Sequence, residues 1–213
     1  MNTQSGRSMV EMLGVLAIVG VLSVGAIAGY SKAMMKYKLN KQAEQYNTLI
    51  NAVARNVRNF DDINTGGIQI INRYFIKMGE IPTEMIKNDD IVDIFNQRYA
   101  ITVIKNTTTT TNSSSVNLSV ISAPALKIKS AESLEICRNM LITAKENADS
   151  IASISSVTRN DDDTDYMTNF FLGDKLCAAG WAPCLKNLTL DTIYNFCTDH
   201  YGRKYNEFKV TWP

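Results

Sequence analysis

Few side chains in this sequence are placed to do chemistry, and one of them stands where a charge is costly. Glu11 heads the run Met12 to Gly29, 18 residues that carry no charge. An ionisable group at the edge of such a run is expensive in lipid and generally has a partner, which points to assembly rather than to solvent contact. Four cysteines, Cys137, Cys177, Cys184 and Cys197, make an even set with no C-x-x-C spacing. In an exported chain that count predicts disulfides, and spacing alone leaves three connectivities open. His200 is the only histidine, flanked by Asp199 and Tyr201, and no G-x-S-x-G, H-E-x-x-H or phosphate-loop motif accompanies it. It reads as a surface residue. Asp161, Asp163 and Asp165 alternate like the start of a calcium loop, yet Tyr166 and Leu172 stand where an EF-hand has glycine and glutamate. That run reads as a solvated turn. No metal, no cofactor and no enzymatic activity are expected.

The element that must position Glu11 is a helix. Met12 to Gly29 spans about 27 Å at roughly 1.5 Å per residue, close to the hydrocarbon thickness of a bilayer. Its nine Leu, Ile and Val residues favour insertion by roughly 3 to 5 kcal/mol. Glycines at 14, 20, 25 and 29 leave shallow places where another helix packs closely. Beyond the run, Leu39, Ala43, Tyr46, Ile50, Val53, Val57 and Phe60 recur in steps of four and three, so the same helix continues with one apolar stripe. Asp61, Asp62, Asn64, Gly66 and Gly67 are expected to stop it.

The remainder reads as an α+β domain, with the long helix packed on a small antiparallel sheet. Ile68 to Met78 has helical spacing, closed by Gly79. Arg98 to Lys105 and Val116 to Ser122 alternate as strands, and the Thr- and Ser-rich stretch Asn106 to Ser115 between them reads as the mobile tip of a hairpin. Ser130 caps a helix from Ala131 to about Asn147, with Leu134, Cys137, Leu141 and Ala144 inward. Ile151 to Val157 is a third strand, Leu190 to Thr198 a helix, and Phe208, Val210 and Trp212 mark a fourth strand. The apolar stretch from Phe170 to Cys184 has no assigned element.

With 22 basic and 21 acidic residues, net +1, the chain lacks the basic footprint of a nucleic-acid protein. The excess is local: Lys32, Lys36, Lys38, Lys41, Arg55 and Arg58 against Glu44 give +5 between Ser31 and Phe60. The positive-inside rule alone would keep those lysines in the cytoplasm. The even cysteine count argues for export.

Gly6, then Arg7-Ser8-Met9-Val10-Glu11, then the apolar run, resembles the N-terminus of a type IV prepilin. In that family a membrane peptidase cleaves after a glycine, the new first residue is N-methylated, and a glutamate occupies the fifth mature position. Gly6, Arg7 and Glu11 match that spacing, although the family generally has a hydrophobic first mature residue where this chain has Arg7, and the leader Met1 to Ser5 has no basic side chain. The order of elements resembles the type IVb pilins. The resemblance implies a leader over 1–6, a transmembrane and assembly helix over 7–30, its amphipathic half over 31–60 and a globular head over 61–213. It implies that Cys137 pairs with Cys197, which leaves Cys177 with Cys184, and it has no counterpart for residues 159–184.

The function implied is that of a structural subunit that polymerises through its N-terminal helix into an extracellular filament for adhesion, aggregation or motility. Its partners would be further copies of itself, the prepilin peptidase and the assembly machinery of the bacterial inner membrane. It would be held there as a single-pass protein with a cytoplasmic N-terminus before assembly. A pseudopilin of a type II secretion system is the alternative within the family. From another class comes a soluble exported binding domain, with Ala26-Ile27-Ala28 before Gly29 as a signal-peptide cleavage site.

Overall fold

The computed structural model describes residues 9–60, 67–108, 111–122, 130–159, 165–198 and 205–212. Helix α1 runs unbroken over Met9–Asn56 and tightens into a 3-10 turn over Val57–Phe60. Two compact units divide the chain, one over 1–38 and one over 39–213. The described residues of the first, from Met9 on, are the apolar half of α1. The second, the head, is an eight-stranded sheet with the amphipathic half of α1 and three shorter helices.

In chain order the head comprises β1 (Ile68–Ile70), α2 (Asn72–Lys77), β2 (Ile86–Lys87), β3 (Asp90–Val92), β4 (Arg98–Thr108), β5 (Thr111–Ser122), α3 (Ala131–Glu146), β6 (Ser153–Arg159), β7 (Asp165–Leu172), α4 (Leu190–Thr198) and β8 (Tyr205–Trp212). The strands are ordered β2-β3-β4-β5-β8-β6-β7, with β1 also on β4. Every strand pair is antiparallel. This is the α+β class expected, a long N-terminal helix with an antiparallel sheet, but among the described residues the sheet holds eight strands where the sequence predicts four.

The added strands arise in three places. Ile68–Ile70, expected as the start of a helix, pairs instead with Thr102–Ile104 of β4, and the helix begins only at Asn72. Asn72 extends that pairing with its side chain: its amide donates to the Tyr99 carbonyl at 2.9 Å and its Oδ1 accepts from the Ile101 amide at 2.8 Å. β2 and β3 form a hairpin through Asn88 and Asp89, both at positive φ (53° and 65°), the backbone that a two-residue turn demands. β7 takes in Phe170–Leu172 and pairs along β6, so part of the stretch expected to be an insertion belongs to the sheet. The Thr- and Ser-rich stretch is strand up to Thr108 and again from Thr111, with Lys105 opposite Ser114 and Thr108 opposite Thr111. Its tip, Thr109 and Thr110, lies outside the described residues.

The core forms where α1 and α3 meet the sheet. Tyr46, Leu49, Ile50 and Val53 of α1, Ile136, Met140 and Leu141 of α3, and Tyr99, Ile101, Leu118 and Val210 of the sheet are all buried. Each large apolar side chain so buried contributes about 1.5 to 3 kcal/mol. Ser130 caps α3 by accepting from the Ser133 amide at 3.0 Å. α4 packs through Phe196, whose ring lies 5.3 Å from Phe171 and 5.8 Å from Phe208.

Candidate assembly helix and its anchorage in the head

Along the first part of α1 the apolar side chains are exposed: Met9, Val10, Leu13, Leu16, Ile18, Val21, Leu22, Val24 and Ile27 are each more than half accessible. This helix is long and apolar enough to cross a membrane, with an 18-residue window of mean hydropathy 2.3 and no part of that window buried. Ser23, the one hydroxyl inside the run, donates back to the Val19 carbonyl at 2.7 Å, so its polar atom is satisfied within the helix.

Glu11 lies in the first turn of α1, where the helix dipole favours a negative charge. By helical spacing of about 100° per residue, Glu11, Gly14, Gly25 and Gly29 fall within one sector of roughly 60°, with Gly20 opposite. A Cβ at any of these glycines would meet no atom within 4 Å among the described residues. Their smallness therefore serves no contact among the described residues. Gly6 and Arg7, the expected processing residues, lie outside the described residues, as do His200 and the carboxylates Asp161 and Asp163. Asp165 begins β7. Among the described residues no group of three or more His, Cys, Asp or Glu is placed to hold a metal ion.

Within the head, α1 is gripped by a polar network that the periodicity of the sequence did not reveal. Asp93, in the turn after β3, is 6% exposed. Its Oδ1 accepts from the backbone amides of Phe95 (2.8 Å) and Gln97 (2.9 Å). Its Oδ2 accepts from the side chains of Gln97 (2.9 Å), Tyr99 (2.9 Å) and Gln42 (3.3 Å). Burial raises the Asp93 pKa above its ordinary value, and these hydrogen bonds offset the effect only in part. Burial likewise raises the hydroxyls of Tyr46 and Tyr99. Gln45 Oε1 accepts from the Ile94 amide at 2.9 Å. From the other side Asn139 of α3 donates to the Leu39 carbonyl (2.8 Å) and to Gln42 Oε1 (3.0 Å).

Ion pairs add to the anchorage. Lys41 lies between Glu84 (2.8 Å) and Glu44 (3.2 Å), whose hydrogen bonds raise its pKa. Arg55 and Asn56 both donate to Glu80, which holds its carboxyl below the ordinary range.

The cysteines form two bridges. Cys137–Cys197 ties α3 to α4 with Cα atoms 5.9 Å apart. Cys177–Cys184, at 5.3 Å, closes a short loop in which Gly180 takes φ +71° and Trp181 stands 61% exposed, edge-on to Phe170. No cysteine is free. No protein-family model, no curated protein and no solved structure matches this chain.

Proposed function

We propose that this chain is a structural subunit of a type IV pilus, of the b class, that leaves the bacterial inner membrane by packing its N-terminal helix against those of its neighbours. The observation that carries this reading is the face of α1 that combines Glu11 with Gly14, Gly25 and Gly29. Apolar helices in lipid have no hydrophobic drive toward one another, so close packing at small residues and a buried charge pair must supply the specificity. The glycines admit a neighbouring backbone, and Glu11 accepts the amine that cleavage after Gly6 creates on another subunit. The role is mechanical. The head, which holds the amphipathic half of α1 through Gln42, Gln45 and Asn139, forms the surface of the filament.

Intact mass of the mature chain, together with electron microscopy of a sheared cell-surface fraction, tests the reading. A chain that begins at a methylated Arg7 and is recovered in filaments supports it. Filaments confined to the periplasm would make the chain a pseudopilin. A soluble monomer that begins at Gly29 would remove the assembly helix altogether.

A further inference from the structure

The segment of α1 that follows the apolar run carries a band of tyrosine and lysine. Tyr30 and Tyr37 are 68% and 57% exposed, and Lys32 and Lys36 are exposed between them. Seven residues apart, the tyrosines share one side of the helix, while the lysines, four apart, share an adjoining side about 130° round. At about 100° per residue the four side chains fall within roughly 160° of the helix circumference. From Glu11 to Glu44 the sequence has no acidic residue. Among the described residues no carboxylate pairs with Lys32 or Lys36, whereas Lys41 lies between Glu44 and Glu84.

We infer that Tyr30, Lys32, Lys36 and Tyr37 form a docking collar for anionic phospholipid headgroups. The inference rests on the membrane-spanning reading of α1. The apolar run, about 27 Å long, nearly matches the hydrocarbon core, so the residues after Gly29 emerge into the headgroup layer. Amphipathic tyrosine rings settle at that depth, and lysine stems lie along the lipid while their ammonium groups reach phosphate. Two neighbouring ammonium groups with no carboxylate partner among the described residues suit the phosphate of an anionic headgroup. The collar fixes how far α1 protrudes from the bilayer and gives the subunit a preferred lipid neighbourhood before it polymerises.

The test uses the full chain reconstituted in phosphatidylcholine vesicles with trace spin-labelled lipid, in which protein-bound lipid gives a motionally restricted signal. Spin-labelled phosphatidylglycerol should be restricted in excess over spin-labelled phosphatidylcholine, by about twofold to fivefold at low salt, since a lysine at an anionic surface contributes up to about fivefold in binding. High salt and K32Q/K36Q should abolish the excess, and K32R/K36R should keep it. Equal restriction of the two lipids, with the chain still inserted, would overturn the collar and leave the membrane span standing. Loss of the excess only when subunits associate with one another would assign the lysines to lipid before assembly and support the collar. Absence of a restricted signal from either lipid would show that α1 does not span, and the collar would fall with it.

Discussion

Gln42 of α1 donates its side-chain amide to the carboxylate of Asp93 at 3.3 Å, across 51 residues of sequence. Four further donors converge on the same two oxygens, from the Phe95 and Gln97 amides and the Gln97 and Tyr99 side chains. A carboxylate at this place joins helix, turn and strand where an apolar side chain would join none of them. D93A would strand these buried donors, each at about 1 to 3 kcal/mol before relaxation. We expect a loss of 3 kcal/mol or more in chemical denaturation (estimated from the same penalty), with the far-UV signal of the remaining structure retained at low temperature.

The same carboxylate gives a signed pH effect. Its folded-state pKa is raised above the ordinary 3.8, so the folded state holds the Asp93 proton at pH values where the unfolded chain has released it. That contribution to stability is full below the ordinary value and is lost as pH rises through the raised one. Glu80 acts oppositely: its pKa is lowered from 4.5, so its contribution is present above that value and is lost as pH falls through the folded one. Wild-type stability measured relative to D93N should therefore decline with rising pH across the first window and then level. E80Q should flatten the acid limb instead.

Removing the 137–197 bridge should cost about 4 kcal/mol on the chain-entropy model, and removing the 177–184 bridge about 2 kcal/mol, because the loops differ in length (separations 60 and 7). Limited proteolysis separates the two variants. C137S/C197S should open first around α4, while C177S/C184S should be cut within 177–184 and leave the rest of the head intact.

Gly173 offers a sharp steric test. A Cβ there would lie 1.9 Å from the Ile151 carbonyl oxygen and 2.8 Å from that of Ala148. Both are backbone atoms and neither yields without moving the end of α3 or the start of β6. G173A should destabilise the head by about 3 kcal/mol, the upper end of overpacking penalties. G180A, at φ +71° with open space around it, should cost only about 1 to 2 kcal/mol by thermal denaturation.

E11A should insert and be processed like wild type but polymerise less. If the pairing is worth about 1.4 kcal/mol per subunit contact, association falls about tenfold. Filament yield from a sheared fraction, normalised to membrane-bound subunit, measures it. Normal yield would remove Glu11 from the assembly step.

Elements governed by local pattern were legible in the sequence. The helix Leu190–Thr198 has the bounds expected, with Ile193 and Phe196 inward, and Ser130 caps α3 as read. What escaped depended on partners remote in sequence. Ile68–Ile70 follows helical spacing into Tyr74 and Phe75, and only its pairing with β4 makes it a strand. Gln42, Gln45, Leu49, Ala52 and Asn56 recur in steps of three and four and are all buried, yet three of the five are polar and were passed over by a hydropathy stripe. Asn88-Asp89, with Ile86 and Ile91 two residues out on either side, was a readable turn signal. Asp93 carried none, because its burial is set by the Gln42 and Tyr99 that surround it.

The place of β8 in the sheet has a consequence for biogenesis. β4 and β5 reach β6 and β7 only through Tyr205–Trp212, the latest of the eight strands to leave the ribosome. Until that segment arrives, the nascent polypeptide holds two unjoined sub-sheets, and its final strand is the piece that makes them one.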